Sequence, residues 1–302
     1  MRIGAMIGEV RGPVTADELT AQATDAAARR IGRVWTAQAL GWDALTSLAL
    51  VGARVPDVRL GTAVVPVPPR HPLLLASQAL TVQAATGNRL TLGIGAGIGA
   101  LTTGLFGLPA DRPVHRMREY LSVLRPLLRG EPVSHAGDTL TVNGGVAVPG
   151  ALPPPVLLAA LGPAMLRLAG ERADGTVTWM AGPRTLDTHV VPRVTAAGRA
   201  VEIVAGLPVC VTSDPDGARE RVAARFGMAA GVPEYRSVFD REGVAGPRDV
   251  ALIGDEETVA RGVARIAAAG VTEFVGSPFG DSGEQSRALS LLGDLDRSGH
   301  HG

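Results

Sequence analysis

The sequence predicts a closed (β/α)8 barrel, and three observations carry that reading. Short apolar, β-branched runs alternate with longer helix-patterned segments, eight strands in all. Most of these runs are continuously apolar, as strands covered by helices on both faces must be. The chain has 302 residues, longer than an average domain but an ordinary length for one barrel. An open doubly wound sheet of Rossmann type is the competing architecture.

Arg2–Ile7 reads as the first strand. A helix follows over Thr15–Arg30, where Thr15 and Glu18 have the spacing of a capping box. Gly32–Gln38 is the second strand, and Asp43 then caps a helix to Val55. Val58–Val65 is the third strand, with a helix over Pro72–Ala85. Arg89–Ile94 is the fourth. A Gly-rich loop and a helix over Val114–Leu128 follow, with Pro113 at its start, where no N–H is needed. Gly130–Pro154 is irregular, carries a small surface strand at Asp138–Val142, and reads as an insertion. Then come strand Val156–Ala159, helix Ala164–Ala173, strand Thr176–Met180 and helix Thr185–Ala197. Val201–Val211 is the seventh strand. Asp214 caps a helix over Pro215–Phe226, and Pro233–Arg241 forms another. Glu256–Ala269 is strongly amphipathic, Glu273–Gly276 is the last strand, and Glu284–Asp296 is the closing helix. The expected organisation is one barrel domain over residues 1–297, with 130–154 inserted, and a disordered tail over 298–302 that carries His300 and His301.

Composition removes several kinds of chemistry. The 29 basic residues balance 29 acidic ones, so no basic face is expected and a nucleic-acid partner is disfavoured. Every basic residue is Arg. With no Lys, Schiff-base catalysis and a Walker A phosphate loop are excluded. Cys210 is alone, which rules out an internal disulfide and a cysteine zinc site. Its apolar neighbours, Leu207 to Val211, favour a core residue over a nucleophile. Glu9 and Arg11 interrupt the apolar start, and no long apolar run is free of charges and breakers. A cytoplasmic protein with no membrane partner is therefore expected.

In a barrel, chemistry sits at the C-terminal ends of the strands. Those ends offer Glu9, Gln38, Arg70-His71, Gly95-Ala96-Gly97, Leu161-Gly162, Thr178-Trp179, Thr212 and Ser277. No His pair or carboxylate cluster falls there, so no metal centre is expected. G-x-S-x-G is absent. A site so poor in acids and bases points to a bound cofactor that carries the reactive atoms. Two segments suit one. The glycines of Gly93–Gly99 let backbone approach a flat ring or a phosphate, although a plain flexible loop reads equally well. At Ala159–Pro163 a strand runs into a helix N-terminus, whose N–H groups suit an anion; an ordinary turn is the other reading.

The residues also carry a family resemblance. Leu60-Gly61-Thr62-Ala63-Val64-Val65, Arg70-His71-Pro72, Ala76-Ser77-Gln78-Ala79, Gly87-Asn88-Arg89 and Leu92–Gly97 follow one another in order. Ala169–Gly175 and Gly254–Val259 extend the match along nearly the whole chain. This pattern resembles the luciferase-like monooxygenase superfamily, most closely its deazaflavin (coenzyme F420)-dependent branch. The resemblance implies a barrel with an insertion, a homodimer, and a deazaflavin across the C-terminal mouth. It implies a cis peptide at Ala63–Val64 behind the ring and the loop Gly95, Ala96, Gly97 and Ile98 beside it. Ala160, Leu161, Gly162, Thr178 and Trp179 would hold the phosphate tail.

The chain departs from sugar-phosphate dehydrogenases of that branch. Gln38 and Ile98 stand about where those enzymes have His and Glu, and their phosphate-binding lysines have no counterpart. That disfavours sugar-phosphate chemistry and favours an uncharged small molecule, neutral or peptide-like and apolar, with Trp35, Trp42, Phe106 and Trp179 as either wall or core residues. Glu9, Gln38 and His71 are the candidate catalytic groups, His71 alternatively capping the next helix. The expected activity is hydride transfer with F420, reducing a C=C or C=N bond in a biosynthetic setting. An FMN-dependent monooxygenase, and a barrel without redox chemistry that binds a ligand or runs a cofactor-free cyclisation, are the alternatives.

Overall fold

The computed structural model describes residues 1–299. β1 (Arg2–Ile7), α1 (Ala16–Ala28), β2 (Arg33–Thr36), α2 (Ala44–Arg54) and β3 (Arg59–Thr62) open the chain. A two-residue β4 (Val65–Pro66) resumes the third strand after a break. There follow α3 (Pro72–Ala85), β5 (Leu90–Gly95), α4 (Gly99–Phe106) and α5 (Pro113–Leu128). The hairpin β6 (Val133–Ala136) and β7 (Thr141–Gly144) precedes β8 (Val156–Ala159), α6 (Pro163–Arg172) and β9 (Gly175–Trp179). Then α7 (Pro183–Thr185), a π turn (Leu186–Val190) and α8 (Val191–Thr195) lead to β10 (Glu202–Val211). The chain ends with α9 (Pro215–Phe226), α10 (Pro233–Glu242), α11 (Pro247–Val250), β11 (Leu252–Gly254), α12 (Glu256–Ala268), β12 (Glu273–Pro278) and α13 (Ser282–Gly299).

The sheet closes in the order β1, β2, β3, β5, β8, β9, β10, β12 and back to β1, every pair parallel. This is the predicted (β/α)8 barrel, and all eight expected strands fall on its staves. The caps lie where the sequence put them. Thr15 N–H donates to Glu18 Oε2 at 2.7 Å while Glu18 N–H donates to Thr15 Oγ1 at 3.3 Å, and Asp43 accepts from Thr46 N–H at 2.8 Å. Two apolar layers result. One fills the space between strands and helices; the other stacks Met6, Trp35, Leu157, Val177, Val204 and Val275 inside the barrel.

Five local expectations change. The third strand is not continuous over Val58–Val65. It breaks after Thr62, whose hydroxyl exchanges hydrogen bonds with Gly93 (2.7 Å to its carbonyl, 2.8 Å from its N–H). The stretch after the Gly-rich loop holds helix α4, concealed in the sequence because Gly99 and Gly104 dilute its signal. The insertion carries two strands, and Asp138 sits in the turn between them. The helix expected over Thr185–Ala197 is interrupted by the π turn, with Pro192, which lacks an N–H, just beyond it. The closing helix runs through Ser298 and Gly299, which the sequence reading gave to a disordered tail; His300 and His301 lie outside the described residues. Among the described residues no helix is long and apolar enough to cross a membrane.

Candidate active site

The C-terminal mouth has an apolar floor. Val10, Ala37, Ala63, Val64 and Ala159 are partly exposed and lie directly on the buried stack inside the barrel. The break in the third strand builds the centre of this floor. The Ala63–Val64 peptide is cis, as the resemblance implied, and its Val64 methyls lie against Gly93 and Gly95. A Cβ on Gly93 would overlap the Thr62 carbonyl, and one on Gly95 would sit 2.8 Å from Val64 Cγ2. Glycine is therefore required there for close approach rather than for a turn. Next to the floor, Gly97 takes a left-handed φ of 74° and Ile98 heads α4, with Ala96 partly buried between them and the strand end.

The second element is the N-terminus of α6. Ala160 is buried at the end of β8, Leu161 is half-buried, and Gly162 caps the helix with no side-chain hydrogen bond and open space where a Cβ would stand. The first turn holds no acid. Free N–H groups and the positive end of the helix dipole thus face outward unopposed. The loop is held from behind by His189, a buried residue that the sequence reading missed. Its Nε2 lies 2.9 Å from the Leu161 carbonyl. Burial holds the His189 pKa below its usual value, so the ring is neutral near pH 7 and its Nε2–H donates.

The polar candidates separate. Glu9 lies in a short turn after β1 and its Oε2 accepts from Trp42 N–H at 3.2 Å. Gln38 Oε1 accepts from Ala44 N–H at 3.2 Å and from Arg70 Nη2 at 3.0 Å, which leaves the Gln38 amide nitrogen as a free donor. Glu9 and Gln38 therefore both hold the end of the β2–α2 loop where it enters α2. Arg70, matched in the sequence but given no role, spans to Asp43 Oδ2 at 2.5 Å, and its carbonyl accepts from the Tyr120 hydroxyl at 3.0 Å. Burial pushes the Asp43 carboxyl up, but hydrogen bonds from Thr46 and the Arg70 guanidinium reverse this and leave it below the usual range.

His71 stands apart from Glu9 and Gln38. It is exposed, its Nδ1 accepts from Leu73 N–H as the cap of α3, and its Nε2 faces the Thr141 carbonyl at 3.3 Å. Both ring nitrogens are thereby engaged, so capping is the role its geometry supports. Thr178 is buried with its hydroxyl on the Val204 carbonyl at 3.4 Å, while Trp179 is half-buried, edge-on to Phe226 at 6.0 Å. Trp35 is core rather than wall, being fully buried inside the barrel, and Trp42 ties its indole N–H to the Val14 carbonyl at 3.0 Å. Phe106 stays 44% exposed on α4. Cys210 is buried, and burial with the nearby Glu284 pushes its thiol up to about 11, which makes it an inert core residue.

Fold and site define a barrel protein whose mouth offers a flat apolar floor beside an uncapped helix end. That combination suits a ligand with a planar ring and an anionic tail. The model of the luciferase-like monooxygenase family matches residues 2–273, and the chain belongs to that family. A Mycobacterium tuberculosis protein named as coenzyme F420-dependent oxidoreductase Rv3520c is 30% identical, the match covering 97% of this chain and 99% of that one. The 5,10-methylenetetrahydromethanopterin reductase of Methanopyrus kandleri is 28% identical over 82% of this chain and 84% of its own. Among solved structures, an F420-dependent secondary alcohol dehydrogenase in complex with an F420–acetone adduct shares the fold, with TM-score 0.82 and 18% identity over 96% of this chain and 97% of that one.

Proposed function

We propose that this protein is an F420-dependent oxidoreductase that reduces a C=C or C=N bond in a small, uncharged substrate. The observation that carries the reading is the pairing of the apolar floor with an α6 N-terminus that no side chain caps. The floor offers small apolar groups and no charge to a ring, and the helix end offers N–H donors to a phosphate in a chain that has no lysine to do so. The F420-named relative that matches along its whole length supports deazaflavin over FMN.

A bound deazaflavin supplies the hydride. The chain's own work is to hold and dry the reactants. Ala63, Val64 and Gly95 back the ring, and Ala96, Gly97 and Ile98 flank it. Ala160, Leu161 and Gly162 take the phosphate, with Thr178 and Trp179 forming the adjoining wall. Gln38 keeps its amide NH2 as a fixed donor to a substrate heteroatom, because Arg70 and Ala44 occupy its oxygen. Glu9 is the one carboxylate proposed at the mouth and the group to hold or deliver a proton there. A homodimer and a place in a biosynthetic pathway belong to the same reading.

Titration of the purified protein with F420 and, separately, with FMN tests this, read by absorbance and fluorescence. Saturable F420 binding with weak or no FMN binding is expected. Tight FMN binding without F420 binding would turn the reading to a flavin monooxygenase. Binding of neither would turn it to a ligand-binding or cofactor-free barrel.

A further inference from the structure

The sequence reading sought metal ligands at the strand ends; a cluster of them lies instead where α5 meets the β6–β7 hairpin. His115 and Glu119 are one turn apart on α5 and so share a face. His135 lies on β6 and Asp138 in the hairpin turn. His115 Nε2 is 3.2 Å from Asp138 Oδ2 and 3.5 Å from Glu119 Oε1, and one ligand atom from each of the three lies within 4.8 Å of the others. A tetrahedral ion with bonds near 2.0 Å spaces its ligand atoms by about 3.3 Å. The two shorter edges already have that length.

Two further observations point to a ligand. The Nε2 atom of His135 is buried with no hydrogen-bond partner, a state that costs free energy unless something fills it, while that of His115 meets only the two carboxylates named above. Gly137 keeps the intervening space open, since a Cβ there would overlap both His135 Nε2 and Glu119 Oε1. The Glu119 carboxylate is held in place by N–H donors from Asp138 and Thr139, each at 2.8 Å, as ligating carboxylates are. Arg112 Nη1, 3.8 Å from Asp138 Oδ2, is the competing cation.

We propose that His115, Glu119, Asp138 and His135 form a structural site for a divalent cation of the zinc class, which clips the inserted hairpin to α5. Two imidazoles and two carboxylates suit Zn2+ or Co2+, whereas Mg2+ and Ca2+ prefer all-oxygen sets. With four protein ligands the site is closed, so its role is to fix the insertion rather than to activate water.

The test uses untagged, chelator-stripped protein carrying His300→Ala and His301→Ala, so that the tail histidines contribute nothing. Zinc is titrated by calorimetry, and Co2+ is read by its visible spectrum. One equivalent of Zn2+ per chain, a higher melting temperature with zinc, and intense tetrahedral Co2+ bands are expected. His115→Gln with His135→Gln should weaken zinc binding by more than about 100-fold, beyond what loss of an outer partner does. Gly137→Ala, whose Cβ would press on His135 Nε2 and Glu119 Oε1, should weaken it too. Absence of saturable binding, weak octahedral Co2+ bands, or unchanged affinity in the double variant would each overturn the site.

Discussion

The indole Nε1 of Trp35 donates a 2.6 Å hydrogen bond to Glu273 Oε1 inside the lower end of the barrel. Gly4 of β1 makes room for the pair, since a Cβ there would lie 2.9 Å from Glu273 Oε1 and 3.1 Å from Trp35 Cδ1. Arg33 Nη1 stands 3.1 Å from Glu273 Oε2 and Arg2 Nε 3.4 Å from it, so a charge network that runs from the buried Glu273 and Arg33 to the exposed Arg2 closes the end opposite the mouth.

Burial raises the Glu273 pKa, with Arg33, the Trp35 indole and Arg2 opposing it and Glu202 adding to it. A carboxyl with a raised folded pKa holds its proton more tightly folded than unfolded. It therefore favours the fold below the unfolded value of about 4.3, and that contribution is lost as pH rises through the folded pKa. Glu273→Gln keeps an acceptor for Trp35 and does not titrate. Its melting temperature relative to the parent should rise with pH across this window. Glu273→Ala should cost about 3 kcal/mol, because the buried Arg33 is left with only its longer 3.7 Å contact to Glu202 and Trp35 loses its acceptor. Melting curves at several pH values read both; a difference that falls as pH rises would contradict the raised pKa.

The floor makes a contrast between two neighbouring glycines. On Gly93 a new Cβ meets backbone, the Thr62 carbonyl, which cannot swing aside. On Gly95 it meets Val64 Cγ2 at 2.8 Å and Ala159 Cβ at 3.3 Å. Gly93→Ala should cost at least about 3 kcal/mol, at the upper end of overpacking costs, and Gly95→Ala about 1–2 kcal/mol. Denaturant unfolding compares them. Gly95→Ala should also weaken F420 binding, because Val64 would be pushed toward the ring.

Much of this was legible in the sequence because it rests on local patterns. Apolar runs, the Thr15–Glu18 box, Asp43 and Pro113 located strands and helix starts without any tertiary information. Glu9 and Gln38 became candidates because they sit at strand ends. Arg70 and His189 were not assigned roles, because these come from partners distant in the chain: Gln38 and Asp43 for one, Leu161 for the other. The cluster around Glu119 escaped for the same reason, since His115 and Asp138 meet only when the hairpin folds onto α5.

Arg70 should therefore matter to turnover. Arg70→Met removes the donors to Gln38 and Asp43 while keeping side-chain bulk. The Gln38 amide is then held only by Ala44 N–H, and kcat/KM should fall by about tenfold, the effect of roughly 1.4 kcal/mol of lost positioning. Steady-state kinetics and a melting curve check this. A loss of activity that only tracks a loss of folded protein would remove the positioning role.

Gly162 offers a substitution that separates binding from stability. Aspartate is a good N-cap, and position 162 has open space, so Gly162→Asp should leave the melting temperature unchanged or slightly raised. Its carboxylate, however, would stand where the cofactor phosphate is proposed to sit. Two like charges about 4 Å apart near a surface repel strongly enough to weaken F420 binding by about 10- to 100-fold. Gly162→Asn, a comparable cap without the charge, should retain most of the affinity. Equal binding by the Asp and Asn variants would move the phosphate elsewhere.

His189 tests the same cradle from behind. Its neutral ring donates to Leu161 at 2.9 Å, and His189→Ala leaves that carbonyl without its partner, a cost of about 1–3 kcal/mol. Because burial lowers its folded pKa below the usual 6.5, the folded state binds the proton less well than the unfolded chain. The contribution to stability is therefore full above pH 6.5 and is lost as pH falls from there through the folded pKa. The parent should lose stability relative to His189→Ala over that interval. F420 affinity should fall in the variant while kcat at saturating cofactor stays near the parent value, since the residue positions the loop and touches no reacting atom. A variant whose KM for F420 is unchanged while kcat collapses would instead put His189 in direct contact with the chemistry.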